Sequence, residues 1–443
     1  MPPRIALYAF CAFIVWLLIS DRKGRSGISG ALWIPVIWTA ILASRPISLW
    51  LGVGTEMTTS DDYVEGSSLD RNFFLLLLIS GCVVLFRRGA SLQAVISHNR
   101  WIFLFYLYFG LSVFWSDYPF VSFKRWIKDL GNVVMVLVML TEQRPAEAVR
   151  AVFTRCACVL IPVSVLVIKY FPEIGRSYDR WTGRQFFQGV ALSKNSLGAT
   201  VTVLSLFVVW ELLQVWGKGL RSAPRLELGG RLLLLGMAIW LLSIADSVTS
   251  IACTILGAAG LTAITLPVVR KRLQYTQTAL IAGAVGVLLL SAVVDVGAAL
   301  QFLGRDPTLT GRTDIWQLVL AEKTDPLLGT GFYSFWLGPR TERFWAMYAF
   351  RINQAHNGYL ETYLNGGIIG VALLVIMLLA AGRAIQKYLV KDPEWGGMRF
   401  VFWLMVLIHN WTEASFTRLN ILWLVLLVVM MEYSRKERDV HFP

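Results

Sequence analysis

Long stretches of this chain are apolar on every side. Runs such as Phe73 to Leu78 and Ile421 to Met431 carry neither charge nor alternation, and a membrane-spanning helix needs roughly 20 predominantly apolar residues. A spanning strand would alternate apolar and polar positions over about 10 residues, so the pattern selects helices. Composition agrees: of 443 residues 56% are hydrophobic and 16% charged, against about 45–50% and roughly 25% in soluble domains. Too few charges are present to solvate a surface, which excludes a soluble enzyme with one anchor. The expected fold is an all-α polytopic integral membrane protein.

Apolar windows between charged loops predict spans near residues 5–19, 31–51, 72–86, 101–115, 130–140, 151–170, 189–214, 231–246, 250–269, 278–300, 364–382, 399–412 and 419–433. Some are short, so about twelve transmembrane helices (roughly 11–13) are expected. The chain then divides into a membrane domain over 1–300, an extramembrane insertion with short helices over 301–365, C-terminal spans over 366–433 and a tail over 434–443. Asp21-Arg22-Lys23 stands where a leader would carry a small-residue cleavage site, so the first run reads as a retained helix.

The net charge is +13, and its placement decides its meaning. Short basic loops are kept in the cytoplasm. Those with Arg22, Lys23 and Arg25, Arg87 and Arg88, Arg144 and Arg150, Lys218, Arg221 and Arg225, Arg270, Lys271 and Arg272, Arg383, Lys387 and Lys391, and the tail Arg435, Lys436 and Arg438 alternate with the spans. A basic aqueous face for nucleic acid is not indicated. The opposite side then holds Asp61, Asp62 and Glu65, the segment Ser116 to Lys128, the loop Phe171 to Gln188 and the insertion from about Gln301 to Asn365. Cys11, Cys82, Cys156, Cys158 and Cys253 all lie in apolar stretches; their odd number argues against a disulfide framework and for small core residues.

Basic residues on the translocated side oppose the positive-inside bias and call for a reason. Arg176, Arg180 and Arg184 share one loop, Lys194 comes after it, and Arg305, Arg312, Arg340, Arg343 and Arg351 line the insertion. Some of these are ordinary solvated charges. A guanidinium fork nevertheless grips phosphate oxygens in pairs, and a membrane supplies lipids with phosphate or diphosphate heads. In Thr310-Gly311-Arg312-Thr313-Asp314-Ile315-Trp316, Thr310 reads as an N-cap and Asp325-Pro326 as the stop. That puts Gly311 and Arg312 in a first turn, where free N–H groups favour anions.

His356, within Gln354-Ala355-His356-Asn357-Gly358-Tyr359-Leu360-Glu361, is the single histidine of the insertion among four in the chain. An imidazole titrating near neutrality suits a general base for a hydroxyl nucleophile, although a lone histidine is more often structural. Polar groups inside spans are costly and point to function. Here they are Lys194 and Asn195, Asp246 with Ser247, Thr249 and Ser250, and His409 with Glu413, the last two spaced to pair on one helix face. No metal or cofactor is expected, since H-E-x-x-H, zinc-type clusters, D-x-D and the glycine-rich nucleotide loops are all missing from the sequence. A donor would already reside in the membrane.

Five motifs in order resemble the O-antigen ligase and polymerase superfamily. They are Trp115-Ser116-Asp117-Tyr118-Pro119 with Ser122 and Arg125; Gly189 through Lys194-Asn195-Ser196-Leu197-Gly198; Gly311-Arg312-Thr313-Asp314-Ile315-Trp316; Pro326-Leu327-Leu328-Gly329-Thr330-Gly331-Phe332; and His356-Asn357-Gly358-Tyr359-Leu360 with Gly366-Gly367 and Gly370. The likeness runs from about residue 100 to the C-terminus, and the Lys-Asn pair is similar to the exopolysaccharide polymerase branch, where ligases more often show Pro-Asn.

The resemblance implies metal-independent glycosyl transfer from an undecaprenyl-diphosphate-linked saccharide donor to a saccharide acceptor, on the periplasmic face of a bacterial inner membrane, and a single displacement at the anomeric carbon would make it inverting. It implies His356 as activator of the acceptor hydroxyl, Arg312 as holder of the diphosphate, and Arg184 or Arg180 as a second arginine. Lys194, Asn195 and Gly311 join them as substrate-binding residues, with Asp246, Glu413 and His409 as supporting polar groups and a chain-length regulator as a further partner. Polymerisation of repeat units is the leading expectation. A ligase passing a finished glycan to another lipid is the near alternative, and a transporter or flippase of lipid-linked saccharide is the alternative from another class.

Overall fold

The computed structural model describes residues 2–23, 27–53, 66–178, 183–217, 225–276, 312–347 and 351–433. Its principal helices are α1 (Pro3–Lys23), α2 (Trp33–Leu42), α3 (Ser68–Arg87), α4 (Arg100–Leu111), α5 (Pro119–Leu140), α6 (Pro145–Tyr170) and α7 (Lys194–Gly217). After them come α8 (Arg225–Ile244), α9 (Val248–Thr265), α10 (Arg312–Ala321), α11 (Gly338–Met347), α12 (Gly358–Lys391), α13 (Pro393–Thr412) and α14 (Ile421–Met430). Proline opens α5, α6 and α13, where its missing N–H has no partner to lose. Side chains of Ser67, Asn357, Asp392 and Asn420 cap α3, α12, α13 and α14.

Among the described residues seven helices are long and apolar enough to cross a membrane: Pro3–Asp21, Ser68–Arg87, Pro145–Tyr170, Lys194–Gly217, Leu226–Ile244, Val248–Thr265 and Gly358–Lys391. The protein is an all-α polytopic membrane protein. The window 278–300, residues 301–311 and the tail 434–443 lie outside the described residues. The window 31–51 is two pieces, because α2 ends at Leu42 and a separate turn, Ile47–Trp50, comes after Pro46. Most of the expected connection Ser116 to Lys128 is the first half of α5. Among the described residues the departure from all-helical structure is a small hairpin, β1 (Arg176–Tyr178) antiparallel to β2 (Gln185–Phe187), with Arg176 opposite Phe187.

Helices α6 and α7 form the centre, their apolar windows 89% and 78% buried. Phe207 of α7 stacks on Phe153 of α6 at 4.2 Å and on Phe402 of α13 at 4.5 Å. Packing of this kind holds helices together in lipid, where the hydrophobic effect between them is lost. Cys156, Cys158 and Cys253 are core residues as expected, whereas Cys11 and Cys82 face outward from α1 and α3. The assignment of all five to the core is thereby corrected; both outward cysteines sit on helices whose apolar surface needs lipid rather than protein.

Helix α12 is broken at Gly367, which adopts φ 58° and ψ −163°. A break in a spanning helix frees backbone groups that lipid cannot satisfy. Residues 326–331 satisfy them: Ile368 N–H donates to Pro326 O at 2.9 Å, Thr330 N–H to Leu364 O at 3.1 Å and Gly331 N–H to Asn365 O at 3.0 Å. The approach is so close that a Cβ at Gly367 would lie 2.2 Å from the Leu327 backbone. Asp117 N–H donates to Thr330 O at 3.1 Å and the Ser122 hydroxyl to Phe332 O at 2.6 Å. The Trp-Ser-Asp-Tyr-Pro, Pro-Leu-Leu-Gly-Thr-Gly-Phe and Asn-Gly-Gly motifs are therefore one interlocked scaffold, and it fixes how α12 enters the bundle.

Candidate active site

Three helix N-termini meet one carboxylate. Helix α13 ends at Thr412, and Glu413 is extended, with φ −141° and ψ 156°. The loop beyond it is tied down by Asn410, whose Oδ1 accepts from Ser415 N–H at 2.9 Å and Phe416 N–H at 3.1 Å. Glu413 Oε1 accepts from Arg312 Nη2 at the start of α10 and from Asn195 Nδ2 at the start of α7, each at 2.8 Å. Its Oε2 lies 3.1 Å from Nδ1 of His356, two residues ahead of α12. The side chains of Glu413, Arg312 and His356 are 11%, 16% and 27% exposed. Three segments distant in sequence thus converge on the two oxygens of a fourth.

The electrostatics result from that geometry. Burial works against ionisation of Glu413, but the hydrogen bond and charge of His356, with Arg312 and His409 adding, hold its carboxyl below the usual carboxylate range. An ionised carboxylate only accepts, so the Nδ1 of His356 carries a proton, and in the neutral tautomer of that ring Nε2 keeps its lone pair. The amide of Gln354 lies 3.4 Å from the same Nδ1.

A second, more open tier adjoins the first. Lys194, the residue before Asn195, places Nζ 3.1 Å from Asp246, and Arg184 reaches the same carboxylate at 3.9 Å. A cation at the N-terminus of α7 opposes the helix dipole, and Asp246 supplies the counter-charge. Cations outnumber carboxylates over the two tiers, and three helix N-termini add their partial positive charge. The cluster is suited to a polyanion, with an imidazole beside it.

The remaining expected residues divide. Arg180, Gly311, Thr310 and Arg305 lie outside the described residues. Arg176 is used structurally, its Nε donating to Ile168 O at 2.8 Å. Arg340 pairs with Asp117 at 3.0 Å and Arg343 with Glu322 at 2.9 Å. The expected pairing of His409 with Glu413 is corrected: among the described residues no side-chain hydrogen bond joins them, and His409 Nδ1 is buried without a partner. Glu413 has left the helix, so its carboxylate turns to Arg312, Asn195 and His356 instead. Helix α10 ends at Ala321, short of the expected stop at Asp325.

Residues 232–375 match the Wzy_C family model, described as O-Antigen ligase. Over 304 residues, 66% of this chain and 67% of its relative, the sequence is 30% identical to the exopolysaccharide production protein ExoQ of Rhizobium meliloti (strain 1021). This chain belongs to the O-antigen ligase and polymerase family. The stretch matched by the family model holds Asp246, Arg312 and His356, whereas Lys194, Asn195 and Glu413 fall outside it and reach the cluster through the fold.

Sequence reasoning passed over two residues beside this site, Glu361 and Arg418, which form a buried ion pair at 3.0 Å. Glu361 did carry a signal, since it closes the histidine motif and stands little more than one helical turn after His356. Arg418 carried none, being one more arginine near the end of a span.

Proposed function

We propose that this protein polymerises undecaprenyl-diphosphate-linked repeat units into exopolysaccharide or O-antigen, at the periplasmic face of a bacterial inner membrane crossed by about twelve spans. In this reading residues 301–365 are the periplasmic insertion. The acceptor hydroxyl attacks the anomeric carbon of the donor sugar while its proton passes to Nε2 of His356. The bond from that carbon to the diphosphate oxygen breaks, the electron pair leaves with the diphosphate, and a single displacement inverts the configuration. Diphosphate needs no general acid, but its developing charge must be met by fixed positive groups where water is scarce. Arg312 and the first turn of α10 do this, with Lys194 and Arg184 exchanging Asp246 for phosphate oxygens. Glu413 holds His356 in the required tautomer, and neither a metal nor a cofactor takes part.

One observation carries the reading: a single carboxylate, Glu413, ties the candidate base His356 to the candidate diphosphate holder Arg312, at 3.1 and 2.8 Å. The relative's name, exopolysaccharide production protein, supports the polymerase branch. The family description, O-Antigen ligase, favours transfer of a finished glycan to another lipid as the second reading. Deleting the gene and sizing the glycan separates them. Loss of long chains with single repeat units still made fits the polymerase, and long chains stranded on the carrier lipid would assign the ligase.

A further inference from the structure

We propose that the Glu361–Arg418 ion pair is the positioning element that sets His356 against Glu413, an inference that rests on His356 being the base. His356 stands outside regular structure with φ 49°, a left-handed backbone that residues other than glycine adopt only when their surroundings impose it. Both backbone groups of the preceding residue are gripped by side chains. Ala355 N–H donates to Glu361 Oε2 at 3.0 Å, and its carbonyl accepts from Trp316 Nε1 at 2.8 Å. Asn357, on the other side, caps α12 by accepting from Tyr359 N–H and Leu360 N–H at 3.0 and 3.1 Å.

Glu361 is 2% exposed and gathers three donors: Ala355 N–H, Trp336 Nε1 at 2.8 Å and Arg418 Nη2 at 3.0 Å. Arg418 comes from the loop that begins with Glu413. Its guanidinium also donates to Asn353 O at 3.3 Å and lies over the Tyr333 ring at 5.3 Å. One ion pair therefore grips both loops that carry the dyad, at 353–355 ahead of His356 and at 418 behind Glu413. A buried pair contributes little to stability compared with apolar residues of the same size. Its directional bonds fix geometry, and both oxygens of Glu361 are already used within the protein. Glu361 and Arg418 act through His356 and are positioning residues.

The test is a kinetic cycle on the full-length protein in lipid nanodiscs, with labelled polyprenyl-diphosphate-linked saccharide as donor. Wild type, Glu361→Gln, His356→Ala and the double variant are compared for single-turnover rate and donor affinity, with long time courses for the slow variants. A displacement of about 1 Å costs up to roughly 100-fold, so Glu361→Gln should slow turnover by about 10- to 100-fold. Donor affinity should stay within about twofold of wild type, and the substitution should cost nothing further in the His356→Ala background. A wild-type rate in Glu361→Gln, equal losses in both backgrounds, or a loss of donor affinity matching the loss of rate would each overturn the proposal. If Glu361→Gln does not fold, Trp336→Phe removes one of the three donors while keeping an aromatic ring in its place, and the same cycle decides. Normal turnover in His356→Ala would remove the base reading itself. An inactive His356→Ala beside a wild-type-like Glu361→Gln would remove only the positioning role.

Discussion

Replacing Glu413 with glutamine removes one charge and almost no volume, yet it reverses one hydrogen bond of the site. The amide oxygen can still accept from Arg312 and Asn195, which now bond to Oε1 at 2.8 Å each. Its NH2 group, however, replaces the oxygen 3.1 Å from His356 Nδ1, so donor meets donor. The imidazole must move its proton to Nε2 to restore a hydrogen bond, and Nε2 then has no lone pair for the acceptor hydroxyl. The equivalent carboxylate-to-amide exchange in a Ser-His-Asp triad lowers turnover by about 10⁴-fold through the wrong tautomer, and general-base loss spans about 10²–10⁴-fold. Turnover in Glu413→Gln should therefore fall by about 10³–10⁴-fold. Arg312 keeps a neutral acceptor, and the change from a charged to a neutral hydrogen bond at a partly solvated site costs about 1 kcal/mol; the variant should fold. Single-turnover assays with labelled lipid-linked donor, alongside melting in detergent, measure both quantities. A folded variant within tenfold of the wild-type rate would refute the tautomer argument. A rate loss matched by equal loss of donor affinity would show that Glu413 acts through Arg312 instead.

Arg312→Lys should bind donor at least about 10-fold more weakly although its charge is kept, because an ammonium lacks the planar fork; wild-type affinity would mean that charge alone suffices. Glu413, held below its ordinary range, contributes stability that is complete above its unfolded value near 4.3 and fades as pH falls through the lower folded value. The gap in melting temperature between wild type and Glu413→Gln should accordingly persist at about pH 5 and close only below about 4; closure by about pH 5–6 would contradict the direction of the shift. Gly367→Ala forces a left-handed backbone on alanine and drives its Cβ to 2.2 Å from Leu327, so destabilisation of about 3 kcal/mol or more is expected from strain and clash together. An unchanged melting temperature would place the break of α12 elsewhere.

Much of this protein could be read from its sequence because lipid simplifies the problem. A spanning segment must be apolar for about 20 residues, so hydropathy marked the helices. The windows near 151–170 and 189–214 became the buried helices α6 and α7. Arg312 and His356 were legible because each stands in a short motif at a helix start. The partners were not. Glu413 pairs with groups 57, 101 and 218 positions away in the chain, and nothing local distinguishes it from a helical carboxylate facing His409. Its departure from the helix is accompanied by Asn410 gripping the Ser415 and Phe416 N–H groups, a loop geometry that periodicity cannot express. Arg418 was hidden for the same reason: it stands in a loop, and its partner Glu361 lies on α12, 57 positions away in the chain. The motifs also mixed two roles. The Gly329, Gly331 and Gly367 positions take φ values of 69°, 90° and 58° and serve to close backbone packing, although in the sequence they look as functional as the histidine.

Whether this protein forms glycosidic bonds can be measured with purified protein in liposomes, with a labelled polyprenyl-diphosphate-linked repeat unit as the single saccharide, no nucleotide sugar and a chelator present. A polymerase yields a ladder of lengthening glycans with release of polyprenyl diphosphate, formed about 10²–10⁴-fold more slowly in His356→Ala. Movement of the labelled lipid across the bilayer with no new glycosidic bond would contradict that assignment and make the protein a transporter.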